Sequence, residues 1–90
     1  MRIDIDTHKV VLAGKEVDLT PIEYELLLHL ARNYGRLFTR EKLLMQVWGY
    51  DYYGGDRTVD THVGRLRIKL GDYGDRYIKT VRGYGYKFEV

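Results

Sequence analysis

The 90-residue sequence predicts an α+β fold, with short antiparallel strands first, a three-helix core next and a β-hairpin at the C-terminus. Three observations predict it. Ile3 and Ile5 alternate with Asp4 and Asp6 near the start, three later segments carry apolar residues at helical spacing, and Tyr86, Phe88 and Val90 alternate with Lys87 and Glu89 at the end. A chain of this length supports one modest hydrophobic core, so residues 1–90 are expected to form a single domain.

In residues 2–19 the alternating start is followed by the apolar run Val10-Val11-Leu12, and Gly14 marks a turn before Val17. This is the pattern of a small antiparallel sheet. The first helix has both ends marked. Thr20 suits the N-cap, Pro21 the first helical position, and Glu23 completes a capping box by reaching back to the cap amide. Ile22, Leu26, Leu27 and Leu30 make its apolar face, and Gly35 falls where a left-handed C-terminal cap belongs.

After an extended link through Leu37 and Phe38, Thr39 caps a shorter second helix with Leu43, Leu44 and Val47 facing inward, ending near Gly49. Residues 49–55, GYDYYGG, show neither helical nor strand period and read as a loop. The third helix is expected over residues 56–70. Val59, Val63, Leu66 and Leu70 form one narrow apolar stripe there, and Gly71 ends the helix. The remaining segment reads as two strands joined at Arg82-Gly83-Tyr84-Gly85.

The formal net charge of +2 conceals an uneven distribution. Residues 1–56 hold 7 basic and 9 acidic side chains, whereas residues 57–90 hold 8 and 4, so the positive charge lies with the third helix and the hairpin. With no cysteine, a disulfide framework and a thiolate metal site are excluded, and a reducing cytoplasm suits the chain. Neither a signal peptide nor a membrane span is visible in the sequence.

Opposite its apolar stripe, at about 100° per residue, the third helix displays Arg57, Thr58, Thr61, Gly64, Arg65 and Ile68. That face has two arginines, no acid and several small residues, which suits entry into a major groove about 12 Å wide. Arg65 is the candidate for bidentate reading of guanine, and Thr61 for a methyl or hydroxyl contact with a base edge. The competing reading is a solvated helix carrying ordinary surface arginines. Position favours DNA, because a three-helix core followed by a basic hairpin puts the third helix in the major groove and the hairpin beside it.

Arg82 at the hairpin turn is then a minor-groove or phosphate probe. Thr39 and Arg40 open the second helix, whose free amides suit a phosphate. Trp48 is either an indole donor to a phosphate or a core anchor, and Arg67, on the flank of the third helix, is assigned to phosphate. Thr58, Thr80 and Tyr84 complete the set expected at backbone or minor groove. Asp60 and His62 are two apart and point to different sides of the helix. No second histidine or acid is placed to finish a metal site or an acid–base pair, so neither an enzyme, a metal nor a cofactor is expected. Asp60 is expected to favour the helix dipole or orient an arginine.

The segments LTPIEYELLLHL (19–30), TREKLLMQVWG (39–49), DRTVDTHVGRLRIKLG (56–71) and TVRGYGYKF (80–88), in this order and spacing, carry a resemblance over essentially the whole chain. The sequence resembles the C-terminal effector domain of OmpR/PhoB-type response regulators of bacterial two-component systems. The resemblance implies a winged helix-turn-helix with a four-stranded N-terminal sheet, a three-helix core and a C-terminal wing, binding promoter DNA in tandem on direct repeats. It implies that Thr61 and Arg65 face bases, that Arg57, Trp48 and Arg67 approach the backbone, and that Arg82 enters the minor groove. The loop with Tyr50, Asp51, Tyr52 and Tyr53 matches the segment that contacts RNA polymerase in relatives. Gly64 stands where many relatives carry an arginine, and Ile68 where a basic residue is common.

No phospho-acceptor aspartate site can be assigned, so the chain reads as an effector domain whose receiver domain lies outside these residues, and as a monomer in isolation. The functional alternative is a protein-interaction module acting through the tyrosine loop, since a fold does not fix a function. The acid-free basic helix face separates the two, because an adaptor has no need of it.

Overall fold

The computed structural model describes residues 1–90. Its first sheet is β1 (Arg2–Asp4), β2 (Lys9–Leu12) and β3 (Lys15–Val17), paired antiparallel in sequence order. The sheet has three strands where four are expected; residues 18–20 run into the first helix cap without pairing. Val10 and Leu12 bury their side chains from the middle strand, as its apolar run predicts.

Helix α1 (Pro21–Arg32) has the predicted capping box: Thr20 Oγ1 accepts from the Glu23 amide at 3.3 Å and the Glu23 carboxylate accepts from the Thr20 amide at 2.9 Å. Leu26, Leu27 and Leu30 are fully buried, Ile22 only half so, and Tyr24 joins the core in its place. Thr39 caps α2 (Arg40–Leu43), accepting from the Lys42 amide at 3.1 Å. This helix widens into a π-turn (Leu44–Trp48), closed by the Gly49 amide on the Leu44 carbonyl at 2.9 Å.

Helix α3 (Arg57–Leu70) lies across α1 and α2 with Val59, Val63, Leu66 and Leu70 at most 2% exposed, the stripe its spacing predicts. After it come a 3₁₀ turn (Gly71–Tyr73) and a single-turn helix α4 (Gly74–Tyr77), neither of which the sequence predicts. Gly74 is required because a Cβ there would stand 2.4 Å from the Arg67 carbonyl oxygen, so α4 can pack directly on the α3 backbone only with glycine.

The wing strands β5 (Ile78–Val81) and β6 (Gly85–Phe88) pair antiparallel, and β4 (Phe38–Thr39) adds to the outer side of β6. The link through Phe38 is therefore a strand that ties the hairpin to the start of α2. Gly85 makes this possible, since a Cβ there would meet the Phe38 carbonyl oxygen at 2.0 Å. Tyr86 and Phe88 face the core, whereas Val90, read as the next inward position, is 90% exposed. No helix is long and apolar enough to cross a membrane.

Candidate nucleic-acid interface

Four buried aliphatics fix the rotation of α3 about its own axis, and that rotation decides which side chains reach solvent. Arg57, Thr61, Arg65 and Ile68 are exposed and Gly64 half-exposed. Arg57 and Arg65 take part in no ion pair, so their guanidinium donors face water. The Thr61 hydroxyl donates to the Arg57 carbonyl at 3.1 Å, which leaves its methyl group and oxygen lone pairs for a partner outside. No side chain is near Gly64; a Cβ there would have nothing within 4 Å.

The flank of α3 that faces the wing is built differently. Arg67, expected to be a phosphate ligand, turns to its own chain: Nη2 donates to the Ile78 carbonyl and to Thr80 Oγ1, both at 2.7 Å, and Nε donates to the Ile78 carbonyl at 3.2 Å. Its guanidinium also stands 5.6 Å over the Tyr86 ring and 3.7 Å from the Asp75 carboxylate. The cause is local. Ile78 begins β5 with a carbonyl that the ladder leaves for a side chain, and an arginine one turn before the C-terminus of α3 reaches it. Thr80 is thereby engaged by Arg67 as well.

One turn into the same flank, the Asp60 carboxylate binds two partners. Oδ1 accepts from the Tyr86 hydroxyl at 2.5 Å and Oδ2 from Arg40 Nη1 at 2.9 Å. Asp60 thus orients an arginine, one of the two roles its position suggests, and Arg40 reaches solvent with its charge already paired. Burial, then the hydrogen bond to Asp60, pushes the Tyr86 hydroxyl up to about 12, so it remains a protonated donor at any working pH.

The opposite flank faces α1 and the π-turn. His62 Nδ1 lies 2.7 Å from the Thr58 carbonyl, and its ring meets Trp48 edge-on with centroids 5.2 Å apart. Trp48 is half-buried against the core and also touches the Tyr52 ring, an arrangement that favours the anchor reading of this tryptophan. Further along, Lys69 Nζ binds the Glu23 carboxylate at 2.6 Å. Burial raises the Glu23 carboxyl, but Lys69 and the Thr20 amide outweigh it and hold the group below the usual carboxylate range.

Arg82 and Tyr84 are exposed at the wing turn. The turn borders a cleft of about 260 Å³ whose far wall is Arg40 and Asp60, so the wing tip, the start of α2 and the first turn of α3 line one cleft. In the loop, Tyr50 and Tyr53 are 83% and 96% exposed, while Tyr52 folds back toward Trp48. The Tyr86–Asp60 and Glu23–Lys69 links escape sequence reading because each joins residues far apart in the chain, at 26 and 46 positions. The inward alternation of Tyr86 was the only trace of the first, and the capping box the only trace of the second.

Three helices with a basic, outward third helix and a hairpin turned onto its flank define a winged helix-turn-helix domain that binds DNA. Residues 14–88 match the family described as "Transcriptional regulatory protein, C terminal". The chain is 53% identical over its full length to the transcriptional regulatory protein SrrA of Staphylococcus aureus, and spans 39% of that protein. Among solved structures, the Thermotoga maritima OmpR/PhoB homologue DrrB superposes with a TM-score of 0.88 at 42% identity, covering 98% of this chain and 41% of that one. The Klebsiella pneumoniae RstA DNA-binding domain, solved in complex with the RstA box, gives 0.86 at 39% identity, covering 97% and 88%. The chain belongs to the family of C-terminal DNA-binding domains of OmpR/PhoB-type transcriptional regulators. Its activity is sequence-specific DNA binding in transcription regulation, not catalysis.

Proposed function

We propose that α3 lies in the major groove of promoter DNA with Thr61 and Arg65 on base edges and Arg57 on the flanking phosphates. The observation that carries this reading is the partnerless state of Arg57 and Arg65 on a face without an acidic residue. Arg82 and Tyr84 reach the minor groove or backbone from the wing, Thr39 and Thr58 supply hydroxyls from the first turns of α2 and α3, and Thr80, whose hydroxyl accepts from Arg67, contributes from β5. Arg40 contributes to a phosphate as a charge shared with Asp60, and Arg67 and Trp48 act mainly by holding the elements that touch DNA.

The chain spans 39% of SrrA, and the resemblance to response regulators supports a receiver domain outside these residues that controls how copies align on direct repeats. The isolated domain is monomeric until DNA brings copies together. Tyr50, Asp51 and Tyr53, exposed beyond the π-turn, form a surface for RNA polymerase, with Tyr52 braced behind them.

Selection of binding sites from random duplexes, followed by titration at several salt concentrations, tests the reading. With four to six phosphates neutralised, log affinity should fall against log salt with a slope of about −4 to −5. Recovery of no preferred sequence would remove it.

A further inference from the structure

We propose that Asp60 and Tyr86 are positioning residues of the DNA surface: together with Arg67 they lock the wing to α3, and so set the spacing between the major-groove and minor-groove segments of the operator. The inference rests on the DNA reading given above and deepens it.

The β4 ladder ties β6 to the start of α2 through Phe38 and Thr39, but the angle of the hairpin to α3 is left to side chains. Two side-chain grips tie it to α3, one on each strand. Arg67 holds β5 through the Ile78 carbonyl and the Thr80 hydroxyl. Asp60 holds β6 through the hydroxyl of Tyr86. Asp60 and Arg67 are seven residues apart, about two helical turns, so they share a flank and stand roughly 10 Å apart along the axis.

With β6 already placed by β4, one link to α3 would leave a hinge against that helix, whereas two links separated along α3 fix the rotation of the hairpin. Thr80 and Tyr86 are directly paired across the strands, so the two grips meet on one rung of the ladder and reinforce each other. Arg40 on the second carboxylate oxygen keeps Asp60 aimed at the hydroxyl. The consequence reaches Arg82, because only the Val81–Gly85 pair lies between the clamped rung and the turn at the wing tip.

Tyr86→Phe is the sharp test, since it keeps the ring, its packing and the Arg67 contact and deletes one hydrogen bond. The probe is an operator selected by the wild-type domain, and a second version with one base pair inserted between the tracts protected by α3 and by the wing. The wild-type domain should lose about tenfold or more in affinity on insertion, as for a misplaced base contact. Tyr86→Phe should bind the intact operator about threefold more weakly, yet lose threefold or less on insertion. Asp60→Ala should show the same relaxed spacing, and the double variant no further relaxation.

A thermal melt separates this from damage to the fold, because lost stability weakens both operators equally. An insertion penalty that stays at the wild-type value in Tyr86→Phe and Asp60→Ala would overturn the inference while leaving the DNA reading intact. A wild-type domain indifferent to the inserted pair would overturn it as well, and one that selects no operator removes the reading and the inference together.

Discussion

The outer face of α3 and its wing-side flank carry the same chemistry in opposite states. On the outer face Arg57 and Arg65 have no partner, while on the flank Arg67 and Arg40 are already bonded to the Ile78 carbonyl, Thr80 and Asp60. An arginine in water loses little by moving to a guanine or a phosphate, whereas one that clamps a strand must break bonds the fold needs. The basic residues of a small DNA-binding domain therefore divide into those that read and those that hold, and the division follows from which carbonyls and carboxylates lie within reach. Arg67→Ala and Gly64→Arg probe the two states from opposite directions.

The largest effect is expected at the flank. Arg67→Ala removes three hydrogen bonds from a largely buried guanidinium and should cost about 2 to 3 kcal/mol of stability, read as a lower urea midpoint with little change in slope. Unchanged stability in Arg67→Ala, with the loss confined to DNA affinity, would put Arg67 back among the phosphate ligands. On the outer face the test is an addition. Gly64→Arg enters open space, so it should steepen the salt dependence of binding by about one unit and gain up to about 1 kcal/mol of helix stability. A shallower slope would mean that this part of the helix stays clear of phosphate.

The smallest effect concerns neither face but the far end of the helix. Glu23 is held below the usual carboxylate range when folded, so its contribution is complete above the ordinary glutamate value and is lost as the pH falls through its lowered folded value. A Glu23→Gln variant should therefore show a flatter acid limb in thermal melts than the wild-type domain; superimposable limbs would mean that the Lys69 pair adds nothing.

How much of this was legible in the sequence depended on range. The capping box at Thr20 and Glu23 and the stripe from Val59 to Leu70 obey local rules, and both stand where those rules put them. The short helix α4 and the strand β4 were not legible, because Gly74 and Phe38 acquire their structure from the backbone they touch rather than from their neighbours in sequence. The same holds within the candidate site. Exposure of Thr61 and Arg65 follows from the helical period, but the capture of Arg67 depends on a strand that begins eleven residues later. The fourth N-terminal strand came from resemblance alone, and nothing in residues 18–20 pairs to supply it.

The unpartnered arginine on the outer face is tested most directly by scanning every base pair of a selected operator against the wild-type domain and Arg65→Ala. Loss of about 1 to 3 kcal/mol concentrated at one base position, with the other preferences kept, is the predicted result. A uniform loss across all positions would make Arg65 a phosphate contact and contradict the assignment of α3 as the element that reads sequence.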